Sequence, residues 1–141
     1  PNIYNVIPGE VHFTVDIRSY DDSVLENATE YVKDVIENVA EEEGLEYSIS
    51  TRWTAKGVKF DEELIKLIEE SCKELNLRYK FMWSWAGHDA QYMTRISRVA
   101  MIFVPSVNGK SRTKEEFTKD EDLINGLKVL ELTIRKIDEK L

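Results

Sequence analysis

Val11-His12-Phe13-Thr14-Val15-Asp16-Ile17-Arg18 alternates apolar and polar side chains without a break. Period two marks a strand with one buried face, and the run predicts a strand here. Pro8-Gly9 just before it is turn chemistry, because proline fixes φ and glycine accepts a positive one. Arg18 falls at the strand's C-terminal end, where a side chain can leave a sheet and reach a ligand. Going forward, Asp21, Asp22 and Ser23 offer an N-cap and Glu26 suits a first turn. A helix is expected to about Glu43, with Leu25, Ala28, Val32, Val35, Ile36 and Val39 as its stripe and Gly44 as its stop. A second strand is expected over about 46–53, with Tyr47, Ile49, Thr51 and Trp53 on one face. Strand, helix, strand predicts a small α/β lobe. Ala55-Lys56-Gly57 is the natural lobe boundary.

The remainder reads as α-β-α-β-α. Asp61 caps a helix that turns Leu64, Leu67, Ile68, Cys72 and Leu75 toward a core. A strand over about 79–83 leads through Ser84–His88 into a helix carrying Ala90, Met93 and Ile96. Val99–Val104 is continuously apolar, as in a strand buried on both faces. A polar loop over 107–118 precedes a last helix from about Lys119, with Leu123, Leu127, Leu130, Ile134 and Ile137 as its stripe. The fold class is α/β, with two parallel strands expected in the second half.

A chain of 141 residues makes one domain or two small lobes. Roughly 68% of its unfolded surface can be buried at that size. With 19 basic and 27 acidic residues the net charge is −8. That field repels phosphate backbones and anionic lipid, so neither nucleic acid nor a membrane surface is an expected partner. One cysteine excludes an internal disulfide and a Cys-rich zinc knuckle. No apolar run approaches the roughly 20 residues of a spanning helix, and no signal peptide is visible, so a cytoplasmic location is expected. The first residue is Pro1 rather than methionine, as expected of a chain that was processed, trimmed or cut from something longer.

Trp83-Ser84-Trp85-Ala86-Gly87-His88-Asp89-Ala90 is the most pointed stretch. It lies where a strand ends and a helix begins, the place where open α/β sheets bind ligands. Gly87 admits close backbone approach, a helix start offers N–H groups to an anion, and His88 adds an imidazole. Trp83 and Trp85 alternate, so they share a side if the strand continues, and form a candidate aromatic anchor for a partner. Arg18 and Asn5 are a candidate carboxylate clamp. Spacing alone favours an ion pair of Arg18 with Asp16 or Asp21 instead. Asn108-Gly109-Lys110-Ser111-Arg112 is more readily a solvated loop than an anion nest. Cys72, a conceivable thiol nucleophile with His12 or His88, sits on an apolar stripe where buried structural cysteine is usual. Two distant histidines and one core cysteine do not make a complete metal site.

Taken together, these motifs resemble the zinc-dependent amidohydrolases that include allantoate amidohydrolase, N-carbamoyl-L-amino-acid hydrolase and β-alanine synthase. The resemblance rests on Asn5–Val11 running into Phe13–Arg18, on Ala86-Gly87-His88-Asp89-Ala90, and on Ala100–Ser106 followed by Asn108-Gly109-Lys110-Ser111. It implies the C-terminal third of such an enzyme. Residues 1–55 then correspond to half of a ferredoxin-like lid, the lid that also makes the family's dimer. Residues 56–141 correspond to a β-α-β-α piece of the catalytic domain, separate from the lid or merged with it into one layered domain. By the same resemblance Asn5 and Arg18 hold a substrate carboxylate, and Gly87 and His88 line the substrate site. No residue of this chain is then catalytic, since the family's metal ligands and general-base glutamate lie mostly upstream. Three positions depart from the pattern. Trp83 stands where the family often has a smaller residue. Arg112 stands where the family has its last histidine ligand, and arginine has no lone pair for a metal. Trp85 stands where the Gly-Ala-Gly-His-Asp-Ala signature begins with glycine.

The leading expectation is a fragment or engineered derivative of a metal-dependent amidohydrolase acting on C–N bonds of N-carbamoyl amino acids or related amides. Zinc or another divalent metal serves the family, but none is expected on this chain alone, which is expected to be inactive by itself as a metalloenzyme. Its expected partners are a second copy, the missing N-terminal portion, or a small carboxylate. The alternative is a non-catalytic binding or self-associating scaffold that uses Trp83 and Trp85.

Overall fold

The computed structural model describes residues 3–140. Its helices are α1 (Asp22–Glu43), α2 (Glu62–Glu74), α3 (Asp89–Met93) and α4 (Asp120–Asp138), with a 3₁₀ turn at Val107–Gly109. The chain divides into two units, Pro1–Gly57 and Val58–Leu141.

In the first unit, Asp21 starts α1. Its Oδ1 accepts from Ser23 N–H at 2.8 Å and Val24 N–H at 3.3 Å, which satisfies helix-end donors that α1 cannot. The inward face runs through Leu25, Ala28, Val32 and Ile36 to buried Ala40, so Val35 and Val39, expected on the stripe, are exposed. Gly44 ends α1 in the left-handed conformation, φ 66°, and Leu45 N–H returns to Ala40 O at 2.8 Å. Gly57 N–H comes back to Asp22 Oδ1 at 3.0 Å, an approach that brings Gly57 against Tyr20 O.

The second unit is organised by α2 and α4, which pack on each other. Asp61 caps α2 by accepting from Leu64 N–H at 2.9 Å. The α2 face buries Leu67, Ser71 and Cys72; the α4 face buries Val129 and Thr133. Ser71 is fully buried, with Oγ donating to Leu67 O at 2.8 Å and 3.0 Å from Thr133 Oγ1. Lys136 adds an ion pair to Glu74 at 2.8 Å. The α2 stop repeats that of α1: Asn76 is left-handed at φ 53° and Leu77 N–H returns to Cys72 O at 2.9 Å. Three residues past each left-handed residue a tyrosine donates back to the helix, Tyr47 to Glu37 and Tyr79 to Glu69, at 2.7 and 2.6 Å.

Several expectations are corrected. Most of the expected α4 stripe is not the packed face: Leu123, Leu127, Leu130 and Ile134 are exposed, Ile137 alone of the five is half-buried, and the face at Gly126, Val129, Thr133 and Lys136 meets its neighbours instead. A helix with apolar residues on two sides does not announce which side it uses. α3 ends at Met93, short of Ile96, which is 80% exposed in the following turn. Among the described residues no segment forms a strand, so the runs at 11–18, 46–53, 79–83 and 99–104 carry strand patterns without ladders. A strand exists only by pairing, and alternation fixes which side chains share a face without supplying the neighbour. Val99–Val104 is half-buried rather than buried on both faces, with Phe103 exposed.

That segment is nevertheless anchored. Asp61 N–H donates to Val99 O at 2.9 Å, and Arg98 clasps Asp61 through Nε at 2.7 Å and Nη2 at 2.9 Å while also reaching Glu63. Further along, Gly126 of α4 faces Val104: an added Cβ would lie 2.5 Å from Val104 Cγ1.

Two outcomes follow. Alanine inside a helix gains about 1 kcal/mol over glycine, but crowding the stiff, β-branched Val104 costs about 1–3 kcal/mol. Gly126→Ala is therefore expected to give no gain in urea midpoint; a midpoint raised by the whole propensity gain would contradict the close approach. The second concerns acid. The Arg98 guanidinium, then the Leu64 N–H, hold the Asp61 carboxyl down from 3.8 to about 2. A depressed folded pKa stabilises above the unfolded value and loses that contribution as pH falls through the folded one. Wild type is thus expected to weaken more steeply than Asp61→Asn between pH 4 and about 2 in thermal melts.

Candidate functional site

The stretch singled out by sequence folds as a tight turn. Trp85 is left-handed, φ 56°, a conformation that costs an L-residue with a large side chain about 1–2 kcal/mol. Ser84 brackets it: Oγ accepts from Ala86 N–H at 3.1 Å and lies 3.0 Å from Ala86 O. The resemblance expects glycine at this position, the residue that takes a positive φ most readily. Trp83 and Trp85 are 47% and 50% exposed. Their expected shared side required an unbroken strand, and the backbone turn at Trp85 removes that premise.

Gly87 has open space where a Cβ would stand, and its backbone does not demand glycine. His88 is extended, φ −137° and ψ 153°, and caps α3 with its carbonyl, which accepts from Gln91 N–H at 2.9 Å. Its side chain makes no cap hydrogen bond. Instead Nε2 lies 2.9 Å from Ser84 Oγ, and the ring meets Phe103 edge-on, 5.7 Å between centroids. A half-buried imidazole is thus held from two sides, by its own turn and by the 99–104 segment. Sequence reasoning singled out His88 but not its neighbours Ser84 and Phe103. The serine four residues before the histidine becomes a partner only through the left-handed turn at Trp85, which a tryptophan does not advertise. The anion-binding reading of the helix start fails on length, since α3 has five residues and little aligned dipole.

The other two expected ligand-binding residues belong to the first unit. Asn5 is exposed in a turn where Val6 N–H reaches Ile3 O at 3.4 Å. Arg18 forms a two-point pair with Asp16, Nε to Oδ1 at 3.0 Å and Nη2 to Oδ2. The hydrogen bond holds the Asp16 carboxyl below its usual range and raises the Arg18 guanidinium. This is the ion pair that spacing favoured. A ligand carboxylate at Arg18 has to displace Asp16, an exchange made easy by exposure of both groups.

The loop around Arg112 pairs with itself. Asn108 and Arg112 are left-handed at φ 58°, Arg112 N–H donates to Glu116, and Lys110 lies 3.9 Å from Glu115. Among the described residues no three His, Cys, Asp or Glu side chains gather as metal ligands. His12 is exposed beside Glu10. The donor set present does not fit a divalent metal. Cys72 is buried, and that burial, with Glu69 nearby, pushes its thiol up, away from the thiolate a nucleophile needs. No helix among the described residues is long and apolar enough to cross a membrane.

The profile of peptidase family M20/M25/M40 matches residues 5–136. The chain is 37% identical over 136 residues to the N-carbamoyl-L-amino-acid amidohydrolase of Pseudomonas sp. (strain NS671), covering 96% of this chain and 33% of that protein. It is 34% identical over 137 residues to the allantoate amidohydrolase of Escherichia coli (strain K12), covering 97% and 33%. Among solved structures it is similar to the crystal structure of AtUAH in complex with glyoxylate, with TM-score 0.73 and 33% identity over 82% of this chain and 28% of that one. An amidohydrolase/peptidase from Burkholderia cenocepacia gives 0.69 at 32% identity over the same shares. The fold is of the kind these amidohydrolase/peptidase structures share. The chain spans about a third of the length of the curated relatives it matches.

Proposed function

The chain belongs to peptidase family M20/M25/M40, and on that footing we propose that it is the C-terminal third of a metal-dependent amidohydrolase. The substrates would be N-carbamoyl amino acids or related amides cleaved at a C–N bond. The observation that carries this reading is the match along nearly the whole chain to relatives named as amidohydrolases, each about three times as long. The fold detail follows from it. Pro1–Gly57 would be half of a lid and Val58–Leu141 the return into the catalytic domain. The period-two runs would become strands when the rest of such a protein lies beside them, completing the α/β sheets.

Within this reading the chain binds and orients. Arg18 exchanges Asp16 for the substrate carboxylate, and a guanidinium makes that contact through two parallel hydrogen bonds. Asn5 adds an amide donor. Gly87 leaves room beside its Cα, and His88 offers a fixed imidazole. Arg112 cannot ligate a metal, so the family's last histidine ligand is missing from this chain, and no step assigned to it uses a metal.

A second reading has its own observation: two tryptophans about half exposed within three residues suit a non-catalytic or self-associating scaffold. Sedimentation separates the two: self-association abolished by Trp83→Ala and Trp85→Ala would favour the scaffold.

Complementation tests the first. The chain alone, with zinc or manganese added, is expected not to hydrolyse an N-carbamoyl-L-amino acid. Co-expressed with the N-terminal two-thirds of a homologous amidohydrolase, the chain carrying Arg112→His, which returns the histidine the resemblance expects there, is expected to restore turnover. Arg18→Ala should then raise KM about 10- to 100-fold, as expected for loss of charged hydrogen bonds. Turnover by the chain alone, or an Arg18→Ala complex with unchanged KM, would contradict the reading.

A further inference from the structure

Three polar groups surround Ser84 Oγ: Ala86 N–H at 3.1 Å, Ala86 O at 3.0 Å and His88 Nε2 at 2.9 Å. A serine hydroxyl has one proton and two lone pairs. The amide can only donate, so it occupies one lone pair. The carbonyl can only accept, so it takes the serine proton. The second lone pair then needs a donor, and the remaining neighbour is Nε2. All three contacts are satisfied together when His88 carries its proton on Nε2. With the proton on Nδ1 instead, a bare Nε2 would compete for the serine proton and leave Ala86 O facing oxygen lone pairs at 3.0 Å. Nδ1 is not used as the cap of α3, and the edge contact with Phe103 holds the ring plane.

We propose that Ser84 is a positioning residue that fixes His88 as the Nε2–H tautomer, so that Nδ1 serves as a hydrogen-bond acceptor. Such an acceptor selects an N–H group of a ligand, as in an amide or ureido nitrogen, over a carbonyl or carboxylate oxygen. The ligand half of this inference rests on the reading that His88 lines the substrate site; the tautomer half does not. The left-handed turn at Trp85 is what brings the serine to the histidine.

Long-range ¹H–¹⁵N correlation of the imidazoles in the intact chain, above the pH at which they are charged, reads this directly. Free Nα-acetyl-histidine amide is the reference for an unconstrained tautomer mixture, since His12 in this chain has its own Nε2 at 3.1 Å from Glu10. His88 is expected to show a protonated Nε2 and a bare Nδ1, displaced from that reference. Ser84→Ala should move both His88 nitrogens toward the reference values, and Ser84→Thr, which keeps the hydroxyl, should restore them. A proton on Nδ1 in the wild type, or shifts unchanged by Ser84→Ala, would overturn the role of Ser84. N-carbamoyl-L-alanine is then expected to shift Nδ1 and leave Nε2 in place. A fixed tautomer with both nitrogens unmoved would overturn the acceptor role and leave the role of Ser84 standing; a shift at Nε2 with Nδ1 unmoved would place the ligand at His88 but contradict its selection of an N–H group.

Discussion

Ser71 and Thr133 meet hydroxyl to hydroxyl where α2 and α4 come together, and the second unit is arranged around that contact. Small side chains there let the helices approach. Ser71 donates to Leu67 O, and Thr133 Oγ1, within donating distance of both Val129 O at 2.7 Å and Ser71 Oγ at 3.0 Å, places its proton between the two hydroxyls when it donates to Ser71, so neither is stranded in the interior. An unsatisfied buried hydroxyl would cost about 1–3 kcal/mol. With α4 so fixed, Gly126 receives Val104, the 99–104 segment is held at its other end by Asp61 and Arg98, and Phe103 braces His88. The route from helix packing to the candidate site is therefore a series of named contacts within one unit.

Much of this was legible in the sequence, and the illegible parts have physical causes. Asp21 and Asp61 are N-caps because a short carboxylate beside an apolar-periodic run has one efficient use, and both were readable. Gly44 was readable as a stop; Asn76, doing the same work, was not, since asparagine has many other uses. The packed face of α4 was misplaced because Leu123, Leu127, Leu130 and Ile134 make a better apolar stripe than Gly126, Val129 and Thr133. Only the tertiary neighbour selects the weaker one. The strand patterns at 11–18 and 46–53 were readable as patterns, but pairing is a long-range property that alternation does not contain.

The candidate site divides in the same way. His88 and Gly87 were singled out by residue type and motif, and Arg18, in the other unit, by its place at the end of an alternating run. Ser84 was hidden because its partnership depends on a left-handed tryptophan. Trp85 and Arg112, where the resemblance expects a glycine and a histidine, are both left-handed. That conformation costs an L-residue about 1–2 kcal/mol, so both turns are held by their surroundings, at Trp85 by Ser84 bracketing it and at Arg112 by its N–H donating to Glu116.

Residue-resolved amide hydrogen exchange on the intact chain tests the organising role of the α2–α4 contact most directly. The slowest amides should lie in α2 around Leu67–Cys72 and in α4 around Val129–Thr133, with residues 11–18 and 46–53 exchanging without ladder protection. Alternating protection along 11–18 and 46–53 as strong as that in α2 would show a formed sheet at the centre of the molecule and contradict the account.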